Sequence, residues 1–464
     1  MAEEPERLSP DDARILALES SVLTGHTMKL LVLEPGPPLD LDELRLAVAA
    51  RLSDEPRARQ RVETGGAGRA ASSGAGMAAR ATGGDGPRWV AASGFDIAHH
   101  VRRRAGAECA TEADLRRELS ALMSEHLDRD RPLWTLDLLG PLADGTEVIA
   151  ARLHHAMVDG IAGLRFLEGI LLDPHDAPPV DVPPSDAPPH QAAVGASGQA
   201  AERSPADEWR RMPAALLREL GHPVARSPFD RPLTSAREVA FVSVPLQGLK
   251  DIGASRPDHA TVNDVLLAAV AGGLRSWLDA ARDGHGSRSD VRAQIPVSLH
   301  HRDESAASLG NRDSFINVDL FLGEADPLRR LDRISAHTRT EKQLDDAALL
   351  YDLFHALGRL GAAGELAQRA AGSAHEFSVA VSNVPGPRHP VAVRRRRVDR
   401  LFSSAEPGAH HVLRIAAISN AGEVGIGFCT DPTALPGIGG LADAVDASYR
   451  ELQRASGTGD SLRA

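Results

Sequence analysis

An α/β fold built in two halves is what this sequence predicts, and three observations carry that expectation. The chain has 464 residues, more than one hydrophobic core usually organises. Helical and strand-like periodicities alternate along it without a fixed repeat of roughly 20–50 residues, which favours layered α/β architecture over a solenoid. Residues 174–190 (PHDAPPVDVPPSDAPPH) hold seven prolines, too many for a helix or a central strand, and read as a linker. The predicted division is an N-terminal domain over 1–173, a Pro-rich linker over 174–206 and a C-terminal domain over 207–464.

Ser9-Pro10-Asp11-Asp12 opens the first helix, with Ser9 as N-cap and Pro10 at the first helical position, and that helix ends near Glu19. HTMKLLVLE, from His26, reads as a strand. Asp40 then caps a helix whose Leu44, Val48 and Leu52 share one face. Residues 64–87 are a Gly, Ala and Ser tract without apolar periodicity, read as a loop with no assigned function. Thr111 and Asp114 frame a helix carrying Leu115, Leu119, Leu122 and Leu127 inward. Thr135 to Leu139 and Glu147 to Leu153 form a hairpin around Asp144-Gly145, followed by an apolar helix from Gly160 to Leu172. The second half reads as helix at 208–220, strand at 238–245, a helix capped by Thr261 and Asp264, and strands near 289–298, 314–321, 376–382, 412–419 and 423–428.

Charge excludes one broad class of function. With 64 acidic against 52 basic residues, a formal charge of −12 and a pI near 5.9, the chain lacks the electrostatic footprint of a nucleic-acid binder. Cys109 and Cys429 form no close-spaced motif, which points to a reducing compartment and away from disulfides or a cysteine zinc site. The N-terminus is acidic and has no apolar signal region. The apolar run Val265 to Leu274 already contains Gly272 and Gly273 and is far short of the roughly 20 residues that span a bilayer. A cytoplasmic location is expected, with any membrane or lipid-droplet contact peripheral.

Adjacent histidines occur four times, at 99–100, 154–155, 300–301 and 410–411, so the dipeptide alone discriminates nothing. Only His154-His155 ends an apolar strand and continues as Ala156-Met157-Val158-Asp159-Gly160, the pattern HHxxxDG. Successive side chains at a strand end point to opposite sides, so one histidine can pack inward, here His154, while His155 faces a cleft. Imidazole titrates near pH 6.5 when unperturbed, which suits it to take a hydroxyl proton. A lone histidine in an apolar setting is more often a hydrogen-bonded core residue, but the whole seven-residue pattern favours the catalytic reading. Asp159 can orient His155 or pair with a cation that holds the loop; the second is favoured, with Arg292 as partner. Gly160 allows the tight turn into the next helix. Divergent neighbouring histidines with no further ligand set argue against a metal.

The residues also resemble the bacterial wax ester synthase/diacylglycerol O-acyltransferase family, similar in turn to the wider group of acyltransferases and condensation domains that share HHxxxDG. The resemblance spans nearly the whole chain, through LSPDDARILALES at 8–20, RPLW at 131–134, HHAMVDG at 154–160, Asn263-Asp264, RAQIPVSL at 292–299, Gly310-Asn311 and SNVPGP at 382–387. It implies a two-domain fold like chloramphenicol acetyltransferase, with the active-site tunnel between the halves. It implies acyl transfer from acyl-CoA as co-substrate, with no cofactor, to diacylglycerol or a long-chain alcohol, with His155 as general base. No acyl-enzyme is needed, and no GxSxG elbow is present. Asn263 or the Ser298 region are candidates for an oxyanion donor, and Asn383 for a substrate contact. The capping box explains Asp264 by itself, and a simple turn explains SNVPGP equally well. Arg394 to Arg397 read as a solvated strand end, or as a contact for CoA phosphates or an anionic surface. Two other readings stay open: an acyltransferase of specialised small-molecule biosynthesis using a carrier-protein thioester, and a non-catalytic acyl-thioester or lipid-binding homologue.

Overall fold

The computed structural model describes residues 5–64, 86–104, 111–174, 227–281, 291–298, 313–344 and 377–458. The described residues divide into two compact units, one holding those up to 174 together with 391–399, the other holding those from 227 to 390 and from 400 to 458.

In the first unit a small antiparallel sheet, ordered β1-β4-β3, joins β1 (Glu6–Arg7), β3 (Gln60–Glu63) and β4 (Arg88–Ala91). The larger sheet has seven strands: β2 (His26–Leu33), β5 (Val101–Arg103), β6 (Trp134–Leu139), β7 (Val148–His154), β8 (Asp173–Pro174), β13 (Val391–Val393) and β14 (Arg396–Ala405). Their order is β5-β6-β7-β2-β14-β13-β8. The anticipated hairpin is present as β6 and β7, paired antiparallel from Trp134↔Leu153 to Leu139↔Val148. Every residue of β2 and β7 is buried, as expected of strands covered on both faces.

Four helices accompany these strands. The Ser9 hydroxyl accepts from the Asp12 amide at 3.0 Å to start α1 (Pro10–Leu18), whose C-cap is Glu19. Asp40 accepts from the Asp42 and Glu43 amides at the start of α2 (Leu41–Arg51), and Leu44, Val48 and Leu52 pack inward as the periodicity predicts. α3 (Glu112–Ser124) starts with the Thr111/Asp114 capping box and buries Leu119, Leu122 and Met123. α4 (Gly160–Ile170) buries Leu164, Phe166, Leu167 and Ile170.

The second unit is built on a mixed six-stranded sheet, β11-β10-β12-β15-β16-β9. Its strands are β9 (Glu238–Pro245), β10 (Arg292–Ser298), β11 (Asp313–Asp319), β12 (Val379–Val384), β15 (Leu413–Asn420) and β16 (Glu423–Thr430). β12 runs parallel to both neighbours, while the other pairings are antiparallel. Against it lie α5 (Leu246–Ala254), α6 (Val262–Ala281), α7 (Pro327–Leu344) and α8 (Ile438–Ser456). The glycine pair inside α6 has a packing cause: a Cβ on Gly272 would strike the Ser448 side chain, and one on Gly273 would sit 2.8 Å from the Val445 Cα, so α8 can approach only because both are glycine.

The run Arg394 to Arg397 is not simply solvated. Arg394 and Arg395 turn the chain at φ 49° and 69°, Arg394 reaches Glu43, Arg397 reaches Glu34, and Arg396 inserts against buried Glu147 at 2.5 Å. The helix expected at 208–220, Cys109, Gly310-Asn311, most of the Gly-rich tract and all but the start of the Pro-rich linker fall outside the described residues. No helix among the described residues is long and apolar enough to cross a membrane.

Candidate active site

HHxxxDG begins where β7 stops pairing with β2, the last register pair being His26↔His154. Beyond it the chain closes a tight turn, because the amides of Met157 and Val158 both donate to the His154 carbonyl, at 2.9 and 3.2 Å. The amide of His155 donates to the Gly25 carbonyl at 2.9 Å, which ties the turn to the residue preceding β2. The two histidines then differ sharply. His154 is 1% exposed, whereas His155 is half-buried.

The His154 ring is hydrogen-bonded through Nδ1 and faces a carboxylate through Nε2. Its Nδ1 accepts from the Ala156 amide at 3.0 Å, so the neutral ring must carry its proton on Nε2. Nε2 faces Glu19, whose Oε2 lies 3.5 Å away and whose side chain is 9% exposed. Arg129 approaches the same oxygen at 3.4 Å, and His126 stands 4.0 Å from Oε1. Gly25 makes room for this ring: at φ +70° its Cβ would lie 2.5 Å from His154 Nε2. Cross-strand, His26 is fully buried with no hydrogen-bond partner on either ring nitrogen. Burial, helped by the nearby Arg152 and His154, pushes its pKa well below 6.5, so it stays neutral.

Asp159 has a defined local task. Its carboxylate accepts from the Ala162 amide at 2.7 Å and caps α4, while its carbonyl accepts from Gly163 at 2.8 Å. Gly160 is the first residue of that helix. Arg292, the partner anticipated for Asp159, donates through Nε to Asp319 Oδ1 at 3.0 Å, its cross-strand neighbour in β10 and β11. Each has a partner inside its own unit, set by a capping geometry for Asp159 and a cross-strand register for Arg292.

The remaining candidates belong to the second unit. Asn263 is the second residue of α6, half-buried, directly before Asp264, whose Oδ2 accepts from the Thr261 amide at 2.9 Å. The capping reading of Asp264 is thus met in full. Ser298 ends β10 opposite Asp313, and Asn383 lies in β12 beside Ala417 of β15. In SNVPGP the Gly386 amide donates to the Ser419 hydroxyl at 2.9 Å, so the turn is anchored to β15.

Among the described residues no group of three His, Cys, Asp or Glu gathers as a metal site. In the first unit a polar cavity of about 310 Å³ is lined by His100, Arg102, His126, Arg131, Trp134 and Arg152 among others. Sequence reasoning missed Glu19, Gly25 and His26 as parts of this site. The available signals were a lone glycine directly before a strand and the position of Glu19 at the end of the capped helix.

Two family models match the chain: the wax ester synthase/diacylglycerol acyltransferase catalytic domain over residues 8–266, and the C-terminal domain of the same proteins over 309–453. A putative diacylglycerol O-acyltransferase of Mycobacterium tuberculosis is 29% identical over 398 residues, covering 80% of this chain and 77% of the relative. One of Mycobacterium bovis is 28% identical over 475 residues, covering 97% and 99%. The wax ester synthase/diacylglycerol acyltransferase of Marinobacter aquaeolei VT8 superposes with a TM-score of 0.67 at 22% identity, covering 97% of this chain and 100% of that one. The first condensation domain of the calcium-dependent antibiotic synthetase superposes at 0.59 with 17% identity, covering 98% and 97%. These likenesses establish the α/β fold as the two-domain kind resembling chloramphenicol acetyltransferase.

Proposed function

The chain belongs to the wax ester synthase/diacylglycerol acyltransferase family and is an acyltransferase of that type, and on that premise we propose that it transfers an acyl group from acyl-CoA to diacylglycerol or a long-chain alcohol, with His155 as general base. The observation that supports this is the contrast between the paired histidines: one ring is locked in the interior while its neighbour leaves the strand half-buried from a backbone pinned to Gly25.

In the proposed reaction donor and acceptor bind together. The His155 imidazole takes the proton of the acceptor hydroxyl, and the oxygen attacks the thioester carbonyl. The tetrahedral adduct collapses with cleavage of the carbon–sulfur bond, and the CoA thiolate leaves and accepts the proton. The chain's own groups carry out every step, so no cofactor is involved. Asn263 and Ser298 are the proposed oxyanion donors, Asn383 a proposed substrate contact, and each is open to test by its own alanine variant; one oxyanion donor is typically worth about 3 kcal/mol of barrier. Peripheral contact with a membrane or lipid inclusion is proposed for delivery of the acceptor.

The test is ester formation and thiol release by wild type and His155→Ala, with long-chain acyl-CoA and diacylglycerol, a long-chain alcohol or no acceptor. Wild type should form ester and the folded variant should lose at least about 100-fold. Ester made with one acceptor alone names the acceptor. An inactive wild type with both would sink the lipid assignment.

A further inference from the structure

We propose that Glu19 is a positioning residue for this reaction: its carboxylate holds His154 in the Nε2-protonated tautomer, and that tautomer keeps the turn that presents His155 closed. The inference deepens the acyl-transfer reading above and rests on it for its kinetic arm.

The Ala156 amide favours this tautomer from one side of the ring, and Glu19 stands where it can favour it from the other. With its proton on Nδ1, the His154 ring would turn an N–H toward the Ala156 amide, two donors meeting at the 3.0 Å now spanned by one hydrogen bond. Relief of that clash must come from rotating the ring or opening residues 154–158, and His155 sits inside that segment. Nε2 lies 3.5 Å from Glu19 Oε2, so a shift of a few tenths of an ångström converts the contact into a charge-assisted hydrogen bond. Both atoms are buried and have no other hydrogen-bond partner. Arg129, 3.4 Å from the same oxygen, supplies the countercharge. The other titratable groups around the pair are His126, on Glu19 Oε1, cross-strand His26, and Arg152, which precedes His154 on the same face of β7. Gly25 completes the arrangement, since any side chain there would occupy the space of Nε2. The end of the first helix, the segment before RPLW and HHxxxDG thus meet at one carboxylate.

The test uses the full chain labelled with ¹⁵N-histidine, as wild type, Glu19→Ala and Glu19→Gln. The His154 ring signals are identified by their loss in His154→Gln or, should that variant not fold, by their selective shift in Gly25→Ala. Wild type and Glu19→Gln, which keeps an acceptor oxygen, should show the Nε2-protonated ring, and Glu19→Ala should show a mixture of tautomers. With acyl-CoA and acceptor, Glu19→Ala should lose about tenfold in kcat at unchanged KM and unchanged thermal midpoint, and Glu19→Gln should recover most of it. Wild-type kcat in Glu19→Ala overturns the proposal, as does an unaltered His154 spectrum in that variant. Equal losses in both variants that follow a lowered midpoint also overturn it, since they mark bulk packing. The spectra need no turnover, so an inactive wild type sinks the acyl-transfer reading while the tautomer is still decided.

Discussion

The two ends of strand β7 are built on opposite principles. At its start, Glu147 is fully buried, and both carboxylate oxygens are occupied: Arg103 donates twice to Oε1, at 3.0 and 3.1 Å, while Arg396 and the Leu39 amide donate to Oε2 at 2.5 and 2.7 Å. At its finish, His154 and His26 are buried and Glu19 nearly so, yet His154 Nε2, both nitrogens of His26 and Glu19 Oε2 have no hydrogen-bond partner. A saturated ion cluster fixes one end, while the other holds polar groups one small movement short of satisfaction. Buried groups left so are costly, and they persist where geometry serves chemistry more than stability.

The largest effect should come from the saturated end. Glu147→Ala leaves Arg103 and Arg396 with backbone carbonyl acceptors but no countercharge and should destabilise the protein by about 2–4 kcal/mol in chemical denaturation, while kcat of the molecules still folded stays near wild type. A small loss would mean that water reaches the cluster and that the contrast is overstated. Gly25→Ala probes the other end. Its Cβ would lie 2.5 Å from His154 Nε2 on a residue at φ +70°, so about 1–3 kcal/mol of stability should go, with turnover falling further than stability explains.

Acid should attack the histidine end first. His26 is buried neutral with its pKa well below 6.5, and His100, stacked on Trp134 at the start of β6, is lowered from 6.5 to about 4 by burial. Unfolding frees both to take protons. Their stabilisation is therefore complete above the unfolded value near 6.5 and is lost as pH falls below it, for His100 down to about 4. Urea midpoints between pH 7 and 4.5 should show the slope, and His26→Leu should flatten it; an unchanged slope would place the acid sensitivity elsewhere. The smallest expected effect is at the α4 cap. Asp159→Ala should cost about 1 kcal/mol and Asp159→Asn much less, because asparagine caps nearly as well. If asparagine is as damaging as alanine, the negative charge itself is needed, as the anticipated ion pair with Arg292 requires.

Local physics was legible in the sequence. Caps at Ser9, Asp40, Thr111 and Thr261 each act within three residues, and the inward faces of α2 and α3 follow from periodicity alone. HHxxxDG could be placed at a strand end because the apolar run before it stops there. Helices α5, α7 and α8 were not read, nor were β3, β4 and β14. α7 carries charge along most of its length and β14 (RRVDRLFSSA) is more than half charged or polar, so neither shows the apolar pattern that marks an element.

The sequence by itself determined the α/β class and the family, since each rests on short motifs and periodicities repeated along the chain, and it named the histidine proposed to act. Only the tertiary structure decided that Asp159 caps a helix, that Arg396 meets Glu147 from 249 positions away, and that Glu19 stands at His154. The physical reason is range. Capping and amphipathic periodicity act over a few residues and leave a mark in the order of amino acids, whereas a contact between distant segments exists only once the chain has packed, and either partner alone reads as an ordinary charged residue.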